Sequence, residues 1–271
     1  MHTQKIAYII TSIFLGMLLS ISSLNAQNIK PIGEAISKDK VGNIIYQTPA
    51  NGIKIAYKLV GSGEPLVLIM GLGGTMNQWP QKAIDLLSKK YQLIISDNRG
   101  MGNTTVNKTK FTYKLFADDI IALMDKLQIK RANLLGFSMG STISQKLLFD
   151  YPQRFKKAII YATSTDGSEV SKALNGKVPK NPIVKRQVEA TIAWKTPMDK
   201  LPLIKNQIMF MVGTNDTIVG TKNTIKMAGI IPGAWLVQFK NAKHTLMIQA
   251  PVRFAKTILL FLDIDETVRK K

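Results

Sequence analysis

The segment richest in chemistry is 132-ANLLGFSMGSTISQKLL, where Gly136, Phe137, Ser138, Met139 and Gly140 spell G-x-S-x-G. The apolar residues before Ser138 read as a buried strand and those after it as a helix, which puts the serine on a tight strand-to-helix turn. A serine held there has a strained backbone and a projecting hydroxyl, and glycines on both sides let strand and helix approach closely. Such a hydroxyl is a candidate nucleophile for acyl transfer. Taken alone, the pattern reads equally well as a glycine-rich helix start with a capping serine, so the other groups decide.

Serine is a weak nucleophile near neutral pH and needs a base. The chain has two histidines. His2 falls in an amino-terminal stretch that reads as removable, which leaves His244, in the loop 240-KNAKHTL between the last strand and the last helix. An isolated loop histidine is usually just solvated, but this one sits at the sheet edge that carries Ser138. A third group should hold the imidazole in one tautomer. Asp216 in 212-VGTNDTIV follows a buried strand at the same edge and completes the chain order Ser, Asp, His. Its plainer reading is a helix cap. Asp166 in 161-YATSTDG is the reserve acid, and Asp97 lies too early in the chain and in another loop.

Acyl transfer also needs donors fixed in advance toward the developing oxyanion. The backbone amide of Met139, just after the nucleophile, and that of Leu72, in the glycine cluster 70-MGLGG after the first core strand, are the candidates. The rival reading of that cluster is a phosphate-binding turn. It lacks the lysine of a P-loop and the G-x-G-x-x-G spacing of a dinucleotide site, so no nucleotide is expected.

The elements that must position these groups follow from the apolar rhythm. The chain has 271 residues, 45% of them hydrophobic and 20% charged, which suits one large α/β domain. Residues 43–47 and 53–61 read as an antiparallel strand pair. Strands at 66–70, 91–96, 132–137, 158–162, 207–213 and 235–239 then alternate with helices at 75–90, about 114–127, after Ser138, 219–230 and 246–262. That alternation predicts a mostly parallel, doubly wound sheet of about eight strands with helices on both faces. Between about 164 and 206 the rhythm weakens and prolines recur, which reads as a short cap insertion with one helix near 183–194.

Composition narrows the chemistry further. With no cysteine, disulfides, thiolate metal sites and a cysteine nucleophile are excluded, and two histidines leave almost no room for a multi-histidine metal site. No metal and no organic cofactor is expected. Thirty-seven Lys and Arg against 17 Asp and Glu give a net charge of +20, spread as short pairs and triplets without one basic stripe or interleaved aromatics. Nucleic acid is therefore not an expected partner, whereas contact with an anionic envelope surface fits a solvated basic exterior. Residues 1–26 show a basic start, an apolar run from Ile6 to Leu19 and a small-residue end at Ala26, the pattern of a secretory signal, or of an anchor if uncleaved. The chain is thus expected outside the cytoplasm, with residues 27–271 as the working domain.

Over Ile53 to Leu262 the chain resembles the α/β-hydrolase fold superfamily, in the lineage of single-domain esterases, lactonases and cofactor-free haloperoxidase-like proteins. Besides GFSMG, 97-DNRGMGNT resembles the family's D-x-R-G-x-G-x-S/T loop, 118-DDIIALMDKLQI the helix before its nucleophile strand, and 230-IIPGAWLVQFKNAKHTLMIQAPVRFAKTILLFL its histidine-bearing tail. Met70 stands where that family often has the histidine of an H-G pair. The resemblance implies a serine hydrolase of carboxylic esters or lactones of small to medium acyl size acting through an acyl-enzyme, and the amino-terminal pattern an exported one. Acyl transfer, lyase chemistry or perhydrolysis on the same fold, or a non-catalytic surface-binding protein, are the alternatives.

Overall fold

In the computed structural model, which describes residues 28–265, the apolar runs become nine strands of a single sheet. The expected export segment, residues 1–26, lies outside the described residues. No helix among the described residues is long and apolar enough to cross a membrane. The strands are β1 (Glu34–Lys38), β2 (Ile44–Ala50), β3 (Ile53–Val60), β4 (Glu64–Ile69), β5 (Tyr91–Ser96), β6 (Ala132–Phe137), β7 (Phe155–Tyr161), β8 (Gln207–Gly213) and β9 (Trp235–Phe239). Their order across the sheet is β1-β2-β3-β5-β4-β6-β7-β8-β9. The first three strands run antiparallel to their neighbours, and the remaining six form a parallel block.

Strands buried on both faces read as continuous apolar runs, and their period of two sends alternate residues to opposite layers. In β4, Val67 and Ile69 join one hydrophobic layer while Leu66 and Leu68 join the other. The first layer is covered by α2 (Tyr113–Lys126), α3 (Met139–Asp150) and α6 (Thr221–Ile230), and the second by α1 (Gln81–Leu87) and α8 (Pro251–Asp263). The fold is therefore α/β and mostly parallel with helices on both faces, as the alternation predicts. The ninth strand is the short edge strand β1, whose polar, exposed residues carry little apolar signal.

Two helices are shorter than their apolar rhythm suggests, for one reason. The stretch 75–90 begins as a single 3₁₀ turn, Met76–Gln78, and α1 starts only after Pro80. The stretch 246–262 divides at Pro251 into α7 (Leu246–Gln249) and α8. Proline has no N–H to donate and tolerates only the first turn of a helix, so each one opens a new helix. The segment joining β7 to β8 holds α4 (Ser168–Leu174), α5 (Pro182–Ile192) and a 3₁₀ turn over Met198–Leu203, where the sequence suggests one helix. None of the residues of α4 is buried.

The loop after β5 carries the frame on which the site rests. Asp97, nearly inaccessible, accepts the Met76 N–H at 2.7 Å and the Asn103 N–H at 3.1 Å. Burial raises its pKa above the ordinary carboxylate value, and those two amides oppose the rise. Asn98 donates to the Met70 carbonyl at 2.9 Å. Arg99, 1% exposed, donates from Nε to Asp119 Oδ2 at 2.9 Å and from Nη2 to the Asn51 carbonyl at 3.1 Å, tying the loop to α2 and to the β2–β3 turn. Removing one partner of a buried ion pair strands the other charge. Arg99→Met is expected to cost about 3–5 kcal/mol in urea denaturation, and a double change that also converts Asp119 to Leu to recover part of it.

Candidate active site

Ser138 is built by the turn between β6 and α3. Its φ of 54° and ψ of −117° lie outside the regions that residues other than glycine normally occupy. Strain of this kind costs on the order of 1–3 kcal/mol and persists only where the surroundings enforce it. Here the Ser138 N–H donates to the Tyr161 carbonyl at 3.0 Å, and the Ser138 carbonyl accepts the N–H groups of Ser141 and Thr142 at 2.9 and 3.2 Å. The flanking glycines are steric necessities. A Cβ on Gly136 would stand 2.3 Å from Ser144 Oγ, and one on Gly140 would stand 2.1 Å from the Ile69 carbonyl oxygen.

His244, on the loop after β9, meets the serine across 106 residues of chain. Its Nε2 is 3.0 Å from Ser138 Oγ, and its Nδ1 is 2.9 Å from Asp216 Oδ2. Asp216 is 4% exposed, and its two oxygens do different things. Oδ2 faces the imidazole, while Oδ1 accepts the N–H groups of Ile218 and Val219 at 3.0 and 3.2 Å. Asp216 therefore holds its own turn as well as the imidazole, but it does not cap the following helix, which opens at Thr221 after Gly220. Asp166 stands elsewhere: its Oδ1 accepts the Ser168 N–H at 2.8 Å at the start of α4, and hydrogen bonding to Ser168 lowers its pKa.

Tyr161, at the end of β7, holds the histidine loop. Its hydroxyl donates to the His244 carbonyl at 2.5 Å and accepts the Met247 N–H at 3.3 Å. Burial is the largest cause of a raised pKa for this hydroxyl, so it stays protonated and able to donate. The His244 ring lies against Phe137, centroids 5.0 Å apart, and Phe137 stacks in turn on Tyr161 at 4.8 Å. Neither aromatic announces itself in the sequence, because each looks like an ordinary strand-end core residue.

Leu72 and Met139 border the same cavity as Ser138. Met139 opens α3, and the first amides of a helix have no intrahelical acceptor. Leu72 is the first corner of a turn closed by the Gly74 N–H on the Gly71 carbonyl at 3.2 Å, with Gly73 at φ +71°. From α5, the Gln187 side chain reaches this turn and accepts the Gly73 N–H through Oε1 at 2.8 Å. The cavity measures about 430 Å³ and is lined largely by apolar groups, among them Leu72, Met139, Val170, Leu174 and Val219. Among the described residues, no Lys, Arg, Asp or Glu lines it, and no three His, Cys, Asp or Glu side chains come together as a metal-ligand set.

Comparison with known proteins agrees with this fold. Residues 64–182 match the family model described as alpha/beta hydrolase fold. A Mycobacterium tuberculosis protein whose name is that of a non-heme bromoperoxidase is 38% identical over 112 residues, covering 41% of this chain and 42% of that one. The 3-oxoadipate enol-lactonase 2 of Acinetobacter baylyi is 32% identical over 117 residues, covering 42% and 43% respectively. The match thus spans about two-fifths of the length of these curated relatives. Among solved structures, the esterase RhEst1 from Rhodococcus sp. superposes with a TM-score of 0.73 at 18% identity, over 82% of this chain and 99% of that one. With its elbow serine, its sheet order and these likenesses, the chain has the α/β-hydrolase fold, and its residues 64–182 match that family's model.

Proposed function

We propose that the protein is a serine hydrolase that cleaves carboxylic esters or lactones of small to medium acyl size through an acyl-enzyme. The observation that carries this reading is the unbroken hydrogen-bonded line from Ser138 Oγ through His244 to Asp216. His244 Nε2 takes the hydroxyl proton as Ser138 Oγ attacks the substrate carbonyl, and Asp216 stabilises the imidazolium through Nδ1–H. The amides of Leu72 and Met139 receive the oxyanion, His244 returns the proton to the leaving alcohol, and water activated by the same imidazole releases the acid. This chemistry calls on no metal or organic cofactor.

The cavity supports an uncharged acyl group. A carboxylate moved from water into a space without Lys or Arg would lose hydration with no charged partner in return. The same reading has the enzyme exported by residues 1–26, or tethered by them, with its basic exterior against an anionic envelope. The likeness to a protein named as a bromoperoxidase supports a second outcome for the same acyl-enzyme, in which peroxide replaces water as the acceptor.

A graded series of nitrophenyl esters tests the first reading. Turnover is expected for short and medium neutral chains and to fall at least about tenfold when the chain ends in a carboxylate. Ser138→Ala should abolish it with the melting temperature unchanged. Turnover that survives Ser138→Ala overturns the assignment, and product analysis with added peroxide or hydroxylamine identifies the preferred acceptor.

Asp216→Asn makes a sharper demand. The asparagine oxygen is needed by the Ile218 and Val219 amides, so its NH₂ turns to His244 Nδ1 and leaves the proton on Nε2. That tautomer cannot accept from Ser138, and kcat should fall by up to about 10,000-fold with little change in KM.

A further inference from the structure

Gln187 lies in the middle of cap helix α5, is inaccessible to solvent, and spends its side chain on a loop of the main domain. The direction of its amide is not ambiguous. The Gly73 N–H is a donor, so the group 2.8 Å from it must be the oxygen, and the Nε2 end then faces the interior. Among the described residues that Nε2 has no hydrogen-bond partner. A buried donor without an acceptor costs stability, so the amide is a poor choice as packing and a good one if its oxygen has a task.

The task follows from the turn it touches. In a four-residue turn the middle peptide, here Leu72–Gly73, can face either way, and a positive φ at the third residue marks one of the two faces. The turn's own bond, from the Gly74 N–H to the Gly71 carbonyl, forms with either face and does not choose between them. The bond from the Gly73 N–H to Gln187 does choose, because flipping the middle peptide would carry that N–H away from the oxygen. One helical turn earlier, Val184 packs its methyl groups 3.6 and 3.7 Å from where a Gly73 Cβ would stand, closing the same side. The helix itself is tied to the domain: Thr191 lies 3.1 Å from the Tyr113 hydroxyl, and the Arg186 guanidinium sits 3.8 Å over the Phe111 ring.

We infer that Gln187 is a positioning residue for the oxyanion hole: from the cap, it pins the Leu72–Gly73 peptide, and so holds the adjoining Gly71–Leu72 peptide, whose N–H is the Leu72 amide, in place beside the carbonyl attacked by Ser138. The inference rests on the serine-hydrolase reading. The cap thereby forms part of the catalytic frame as well as part of the cavity wall. What matters is the acceptor oxygen, not the amide nitrogen.

Two variants separate these roles. Gln187→Met keeps length and bulk but removes the acceptor; Gln187→Glu keeps an acceptor oxygen whether ionised or protonated. With a neutral nitrophenyl ester, Gln187→Met is expected to lower kcat about 10- to 100-fold with KM within about twofold. The affinity for a trifluoromethyl ketone, which forms the oxyanion, should fall by the same factor, and Gln187→Glu should restore most of both. A kcat unchanged in Gln187→Met, or a Gln187→Glu variant no better than it, overturns the inference. If Gln187→Met does not fold, Gln187→Asn, which withdraws the oxygen by one methylene, must show the same kcat loss or the inference falls. Ser138→Ala run alongside keeps the two readings apart: turnover independent of Ser138 counts against the hydrolase assignment, whereas Ser138-dependent turnover indifferent to Gln187 counts against this inference alone. Should no ester be turned over, the rate of serine phosphonylation by a fluorophosphonate, which also places negative charge in the hole, gives the same comparison.

Discussion

An imidazole can pass a proton from one atom to another only if both of its nitrogens are held at once, and the carboxyl edge of this sheet is arranged around that need. Ser138, Asp216 and His244 come from the ends of three strands in the parallel block, and each is fixed by something other than its partners in the triad. The serine is fixed by the strained turn and by the Tyr161 carbonyl, the aspartate by two amides of its own turn, and the histidine loop by the Tyr161 hydroxyl. Tyr161 thus holds two members of the line through opposite ends of one residue. Its carbonyl anchors the serine, and its hydroxyl anchors the histidine.

The frame behind the oxyanion loop is made the same way. Asp97, Asn98 and Arg99 are consecutive, yet they reach three separate segments: the start of the 3₁₀ turn at Met76, the Met70 carbonyl and α2. A single loop therefore sets both ends of the stretch from Met70 to Met76, leaving the turn at 71–74 to be fixed from the other side by α5. Buried charge is used for geometry here, at the desolvation cost that such groups carry.

Much of this was legible in the sequence for identifiable reasons. Parallel strands buried on both faces must be apolar throughout, so they stand out, and the two elbow glycines are forced by backbone contacts at little more than 2 Å. The groups expected at the sheet edge are the ones found within hydrogen-bonding distance of one another. What stayed hidden was tertiary. The helix α4, at seven residues, is too short for its three apolar positions to set up a rhythm, Gln187 is an unremarkable polar residue until the cap is docked, and Tyr161 looks like core until its hydroxyl is seen to leave the sheet. Pro80 and Pro251 were visible as residues, but the apolar spacing continues across both, which conceals the break in the hydrogen-bond ladder.

The +20 charge and the uncharged cavity describe two separate environments in one molecule. Charge is concentrated on the exterior, while no Lys, Arg, Asp or Glu among the described residues lines the cavity. The helix α4 sits at the boundary between them. It buries none of its own residues, yet Val170, Ala173 and Leu174 face the cavity. A helix with no core of its own derives its stability from whatever it packs against, and here one such neighbour is α5. The Val170, Ala173 and Leu174 side of α4 meets open cavity space, so a group held there would add apolar contact to α4 and couple occupancy of the cavity to the stability of this helix.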